Sequence, residues 1–285
     1  MNSKITENNS KKYQINGKTL SFERPLVMAI INLTPDSFYD GGKYSEIKDV
    51  LQDAEEKIKQ GATIIDIGAA SSRPNAKEIT KEQEWKRIEE PLKELRKNFP
   101  DIFISVDTFW SDVAKKSADI GADIINDISG GNLDDKMFET VSKSDMAYVL
   151  MHIQGTPQTM QEDPQYGDVV YEVKKEFIEK IERFKKFNFH KLILDVGFGF
   201  GKTNEHNYQL LKQLPQFVEL GFPILAGVSR KSMISKVIHT NPVTALNGTT
   251  VLNTIALLNE AKILRVHDVT EAIQAIELTE YYKNI

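Results

Sequence analysis

The chain has 285 residues, 36 Lys+Arg against 41 Asp+Glu, a formal net charge of -5, and is 40% hydrophobic and 27% charged. That balance suits a globular protein with a large core, and its mild acidity argues against non-specific nucleic-acid binding, which depends on excess Lys and Arg. With no cysteine, disulfides, thiol nucleophiles, zinc-cysteine sites and iron-sulfur clusters are excluded, and a reducing compartment is permitted.

Residues 1–12 (MNSKITENNSKK) lack the apolar centre of a signal peptide. No run reaches the roughly 18 uncharged apolar residues of a membrane span. The expectation is a cytoplasmic protein, without a membrane partner, whose tail over 1–12 is disordered and whose remaining residues, 13–285, form one domain. In YQINGKTLSF, the pair Asn16-Gly17 lies between β-formers and predicts a short hairpin ahead of the main fold.

Eight brief apolar, β-branched runs then recur: LVMAII, TIIDIG, IFISVD, DIINDI, AYVLMH, KLILDV, PILAGV and ILRVHD. The intervening segments are mostly amphipathic helices. In SEIKDVLQDAEEKIKQG, Ile47, Val50, Leu51, Ala54 and Ile58 share one face and Gly61 supplies the stop. A second helix begins at Thr80, with Gln83 placed for a capping box, and its internal Pro91 predicts a kink or break. Continuous apolar strands alternating with helices imply a parallel sheet covered by helices. Eight such units without a linker fit a closed α/β barrel, a single (β/α)8 TIM barrel with a short N-terminal β-hairpin, better than an open doubly wound sheet.

A barrel gathers functional groups at the C-terminal ends of its strands. Here those ends read Asn32, Asp66, Asp107, Asn126 with Asp127, His152, Asp195, Ser229 with Arg230 and Lys231, and Arg265 with His267. One such residue is ordinarily a cap or a turn former. So many around one mouth predict a site of mixed charge. Asp107, Asn126 and Asp195 offer acceptors and an amide suited to the edge of a pterin or purine; the competing role for the carboxylates is an ion pair with Lys231 or Arg230.

Arg73, after the second barrel strand, and Arg265 with His267, in the eighth, flank the first strand in a closed barrel and can converge on one phosphate. Asn32 ends that first strand, before the polar loop LTPDSFYDGG, and a magnesium ion can use it together with substrate phosphate. VGFGFGKT fits neither a Walker loop nor a dinucleotide fingerprint in its glycine spacing. Its glycines predict a sharp turn that places one of Phe198 and Phe200 in an apolar slot and the other in the core. His206, His239 and Trp85 read as structural or solvent-facing.

The segments MAIINLTPDSFYDGG, DIGAASSRPNA, ISVDT, INDISGG, VLMHIQGTPQTM, LDVGFGFGKT, GVSRKSMI and LRVHDV, in that order, resemble the dihydropteroate synthases over nearly the whole chain. The resemblance implies a transferase of folate biosynthesis that joins 6-hydroxymethyl-7,8-dihydropterin diphosphate to 4-aminobenzoate, releases diphosphate with a Mg2+ ion, acts as a homodimer and is a sulfonamide target. By motif position it implies Asn32 on the metal and diphosphate, and Asp107, Asn126, Asp195 and Lys231 around the pterin, with Met151 packed nearby. It implies Ser72, Arg73, Arg265 and His267 on the diphosphate. Phe200, Lys231, Ser72 and Pro74 would border aminobenzoate, and a mobile first loop with Asp36, Phe38 and Asp40 would close over the site. Asp107, Asp195, Lys231, Arg265 and His267 form the implied catalytic set.

Two departures stand out. Where the family usually reads GGESTRPG this chain has GAASSRPN, with Ala70 unexplained, and Val196 replaces a common proline. The alternatives are a pterin-dependent methyltransferase, whose substrate carries no diphosphate for Arg73, Arg265 and His267, and a non-catalytic pterin-binding protein, which would not need the SRKS and RVHD segments together.

Overall fold

The computed structural model describes residues 12–33, 43–70, 79–160 and 162–285, with the backbone alone for 43–46. The expected disordered tail, save Lys12, and the loop residues Asp36, Phe38, Asp40, Ser72, Arg73 and Pro74 lie outside the described residues. Strands β1 (Lys12–Ile15) and β2 (Lys18–Ser21) form the hairpin, antiparallel, with Lys12 as its first residue. Its turn takes the left-handed backbone at Asn16 (φ 50°) and Gly17 (φ 76°), which Asn-Gly tolerates and which matches the strand twist.

Eight parallel strands follow: β3 (Leu26–Asn32), β4 (Ile64–Gly68), β5 (Phe103–Asp107), β6 (Ile124–Asp127), β7 (Ala147–Met151), β8 (Leu192–Asp195), β9 (Ile224–Ala226) and β10 (Ile263–Val266). They close in sequence order, β10 pairing with β3. Between them run α1 (Lys43–Lys59), α2 (Lys81–Asn98), α3 (Ser111–Ile120), α4 (Met137–Ser142), α5 (Val169–Lys185), α6 (Asn204–Lys212), α7 (Pro215–Val218), α8 (Ser232–Ile238) and α9 (Leu246–Leu258); α10 (Val269–Lys283) closes the chain. The expected fold class is the observed one.

Local chemistry sets the helix starts. Thr80 and Gln83 form the reciprocal capping box of α2, and Asp168 accepts from the Val170 and Tyr171 amides at the start of α5. Of the kink or break expected at Pro91, the break does not occur: α2 runs through it, with Ile88, Leu92 and Leu95 buried on its inner face. That packing offsets the missing amide donor.

The alternation of side chains along each strand divides the core in two. Outward residues, among them Val27, Ile65, Ile104, Tyr148 and Leu194, meet the helices. Inward residues at the strand starts, including Met28, Ile64, Phe103, Ile124, Ile193, Leu225 and Ile263, join Tyr13, Ile15, Leu20 and Phe22 of the hairpin segment in an apolar plug. The Tyr13 hydroxyl donates to the Leu192 carbonyl at 2.6 Å, fastening hairpin to barrel floor. Because the floor is sealed by apolar groups, the interior can turn polar only toward the C-terminal ends.

Candidate active site in the barrel mouth

Two residues above the apolar plug, the same inward parity brings Asp66, Asn126, Met151, Asp195 and Arg265 into the upper barrel, and four residues above Phe103 it brings Asp107. Strand register aligns them: Asn32 pairs with Gly68, Gly68 with Asp107, and Asp107 with Asn126 along one row. Met151 pairs with Asp195 on the facing side.

Arg265 is the hub of this layer. Its guanidinium lies 2.6 Å from the buried Asp66 carboxylate and donates to Asp107 at 2.8 Å. Nε also donates to Asp66, at 2.7 Å, and the Asn126 amide donates to the same oxygen at 3.2 Å. Burial raises the Asp107 carboxyl; Arg265 opposes that rise and the neighbouring Asp66 adds to it. The ion pair considered with Arg230 is absent. Arg230 instead forks onto Asp268 at 2.7 Å and 2.9 Å and donates to the Pro242 and Val243 carbonyls, drawn out of the mouth.

Across the mouth, Asp195 accepts from the Gly197 amide at 2.8 Å. Burial raises its carboxyl, with Lys231 opposing. Lys231, at the start of α8, donates to the Phe198 carbonyl, and its ammonium lies 4.6 Å from the centroid of the Phe200 ring. Burial lowers Lys231 to about 8, against the pull of Asp195. Phe198 is fully buried while Phe200 stays half-buried beside Met151, Ile153 and Met160, the division of roles expected of the two rings.

His267 stands at the rim, its Nδ1 3.0 Å from the Ser229 hydroxyl. Its edge faces solvent, yet desolvation by the surrounding protein and the adjacent Arg265 lower the imidazole to about 4, so it is neutral near pH 7. Asn32 is exposed at the end of β3. Among the described residues no three His, Asp or Glu side chains cluster as an ion cage.

Not every strand-end group enters this mouth. Asp127 points outward, accepting from the Tyr148 hydroxyl at 2.6 Å and from the Ser129 and Gly131 amides. His152 also points outward. Its Nε2 lies 3.2 Å from Glu176 on α5, beside a polar cleft of about 580 Å³ that flanks the mouth. His206 serves in the capping box of α6 with Thr203, Lys116 lies over the Trp85 ring, and His239 is exposed at the end of α8.

Sequence reasoning assigned no role to Asp66 or Lys202. The signal for Asp66 was present: Ile64, Asp66 and Gly68 alternate inward, and a carboxylate inside a barrel needs a cation. Lys202 had none, because its side-chain partner, His152, comes from another strand end.

This constellation, a sealed (β/α)8 barrel whose mouth carries carboxylates and an amide beside an apolar slot, with cations on both sides, defines a pterin-binding enzyme. A family model described as pterin binding enzyme matches residues 28–267. The chain is 42% identical over 266 residues to the dihydropteroate synthase of Escherichia coli K12, covering 93% of this chain and 94% of that one. The Yersinia pestis dihydropteroate synthase, solved as a sulfonamide drug complex, superposes with a TM-score of 0.90 at 38% identity, covering 96% of this chain and 100% of that one. The Xanthomonas albilineans dihydropteroate synthase with 4-aminobenzoic acid gives a TM-score of 0.90 at 33% identity over 97% and 99% of the two chains. The chain belongs to the pterin-binding enzyme family, within its dihydropteroate synthases, and is therefore a transferase.

Proposed function

We propose that this mouth condenses 6-hydroxymethyl-7,8-dihydropterin diphosphate with 4-aminobenzoate to give 7,8-dihydropteroate and diphosphate, a step of folate biosynthesis. The observation that carries the reading is the facing pair of walls in one polar layer. Arg265 with Asp66, Asp107 and Asn126 forms one wall, and Asp195 beside Lys231 forms the other. Asp195 and Asn126 would take the amino group and ring nitrogens of the pterin, Lys231 its carbonyl side, and Met151 its apolar face. Phe200 and the aliphatic stem of Lys231 would border aminobenzoate, together with Ser72 and Pro74.

Arg265 spends Nε and Nη2 on carboxylates, and its remaining edge, with Arg73 and the neutral His267, would receive the diphosphate. Asp36, Phe38 and Asp40 would cover the site during turnover. A single exposed amide at Asn32, with no carboxylate cage among the described residues, fits a Mg2+ ion that arrives on the substrate and borrows one protein oxygen. When bound there, the ion would supply charge neutralisation at the departing diphosphate.

A homodimer, a cytoplasmic location and sulfonamide sensitivity belong to the same reading. The apolar residues that α9 and α10 expose, including Val251, Leu258, Leu278 and Tyr281, support a subunit contact there. No helix among the described residues is long and apolar enough to cross a membrane. The test is diphosphate release by purified protein given pterin diphosphate, magnesium and 4-aminobenzoate. Stoichiometric dihydropteroate is expected, and release without it, or no release, would defeat the reading.

A further inference from the structure

Lys202 lies outside the substrate contacts, yet it is buried at the join between two strand ends. Its ammonium is 2.9 Å from His152 Nδ1 and donates to the His152 carbonyl at 3.2 Å and the Phe200 carbonyl at 2.9 Å. Three acceptors match the three donors of an ammonium. Because His152 Nδ1 accepts, the imidazole proton sits on Nε2, which faces Glu176 at 3.2 Å. Glu176 is held in turn by Lys180 at 2.6 Å. The chain of contacts therefore runs from α5 through His152 to Lys202 and ends on the backbone of Phe200.

Other ties hold the segment after β8, from Lys231 to the Phe198 carbonyl, from the Gly199 amide to Asn207 and from Tyr166 to the Gly201 carbonyl, and Lys202 joins the Phe200 carbonyl to the end of β7. Gly197 turns with a φ of 70° so close to β7 that a Cβ there would lie 1.9 Å from the His152 carbonyl. Phe200 closes that turn by donating from its amide to the Gly197 carbonyl at 3.1 Å. The Lys202 ammonium thus clamps both sides of the crossing, the His152 carbonyl below and the Phe200 carbonyl above. The Phe200 ring projects from this clamp into the cluster of Met151, Ile153 and Met160, under the Lys231 ammonium.

We infer that Lys202 is a positioning residue for the aminobenzoate slot: tied through His152 to α5, it sets the height and tilt of the Phe200 ring. The inference rests on the reading of Phe200 as the border of that slot. Asp195 holds its own turn through the Gly197 amide, so the pterin side is anchored separately and should feel the loss of Lys202 less.

The experiment is a double-mutant cycle of Lys202→Met and Phe200→Ala on the full chain, read as KM for each substrate, with thermal melts to confirm folding. Lys202→Met should raise KM for 4-aminobenzoate about tenfold while KM for pterin diphosphate stays within about threefold. In the Phe200→Ala background, Lys202→Met should add less than about twofold, because the ring through which it acts is gone. Multiplying effects, or equal rises in both KM values, would overturn the role of Lys202. A Phe200→Ala variant with unaltered KM for 4-aminobenzoate would instead overturn the slot assignment and the inference with it. If Lys202→Met does not fold, Lys202→Gln, which keeps two donors, enters the same cycle under the same criteria.

Discussion

Arg265 on β10 and Asp66 on β4 meet 2.6 Å apart inside the barrel, reaching across the intervening strand β3. Asp66 is fully buried, so without Arg265 its charge would keep the Asn126 amide but lose its counter-cation. Arg265 in turn holds Asp107 at 2.8 Å. One cation thereby keeps two carboxylates at fixed positions in a layer built to meet a heterocycle. Breaking a buried pair by removing one partner typically costs about 3 to 5 kcal/mol. Asp66→Ala should lower unfolding stability by roughly that amount in urea melts, and should also raise KM for the pterin substrate by releasing Arg265 and Asn126 from a shared acceptor. Stability and KM both near wild type would show that Arg265 is held by Asp107 alone.

Asp195 and Arg265 stand on opposite walls, so their losses should separate by ligand. Asp195→Ala removes an acceptor for the heterocycle, a charge-assisted bond worth about 1.5 to 3 kcal/mol. Calorimetric titration should find a pterin without diphosphate bound about 10- to 150-fold more weakly. Arg265→Ala should weaken the diphosphate-bearing ligand more than the bare pterin, although releasing Asp66 and Asp107 will cost the bare pterin something too. Equal losses for both ligands in both variants would contradict the two-wall arrangement.

Most of this architecture was legible in the sequence because strand alternation is a strict rule. Apolar runs gave all eight barrel strands in order, and the Asn-Gly pair gave the hairpin. The same rule, applied one step further, separates inward Asn126 and Met151 from outward Asp127 and His152, which strand-end position alone does not. Ion-pair partners were less legible. Arg230 carries the same charge as Lys231 one residue on, but takes the left-handed backbone at φ 55° and pairs with Asp268, a choice made by tertiary packing. Pro91 shows the same override: local preference favours a break, and the buried face of α2 keeps the helix intact.

Glu84 gives a test on pH. It is fully buried on α2, and burial raises its carboxyl from 4.5 to about 7; the nearby Thr108 side chain and Arg87 oppose the rise and Asp127 adds to it. The native state therefore holds this proton over a range where the unfolded chain releases it. Stability should fall as pH rises from 4.5 toward about 7 and then level off. The contribution is at most about 3 kcal/mol, at 1.36 kcal/mol per pH unit. Glu84→Gln should flatten this part of the profile, whatever its absolute stability, so the readout is the slope of denaturant melts against pH. An unaltered slope would mean that other groups govern it.

The amine of 4-aminobenzoate is a weak nucleophile, and the mouth sets carboxylates where the heterocycle is expected and cations where the diphosphate is expected. Asp107 and Asp195 would offset positive charge spreading over the pterin ring as the leaving group departs. Arg265 and Arg73 would stabilise the charge collecting on the leaving oxygen, an arrangement of fixed charges that favours a dissociative, SN1-like route. Pterin diphosphate carrying heavy oxygen at the bridging position, incubated with enzyme and magnesium without aminobenzoate, should then move that label into non-bridging positions. NMR or mass analysis of recovered substrate reads the exchange. A non-nucleophilic aminobenzoate analogue provides the second arm, because ionisation can require the second substrate to complete the site. Scrambling in either arm supports departure before attack. Turnover with aminobenzoate but no scrambling in either arm would establish concerted displacement and reassign Asp107 and Asp195 to ground-state binding alone.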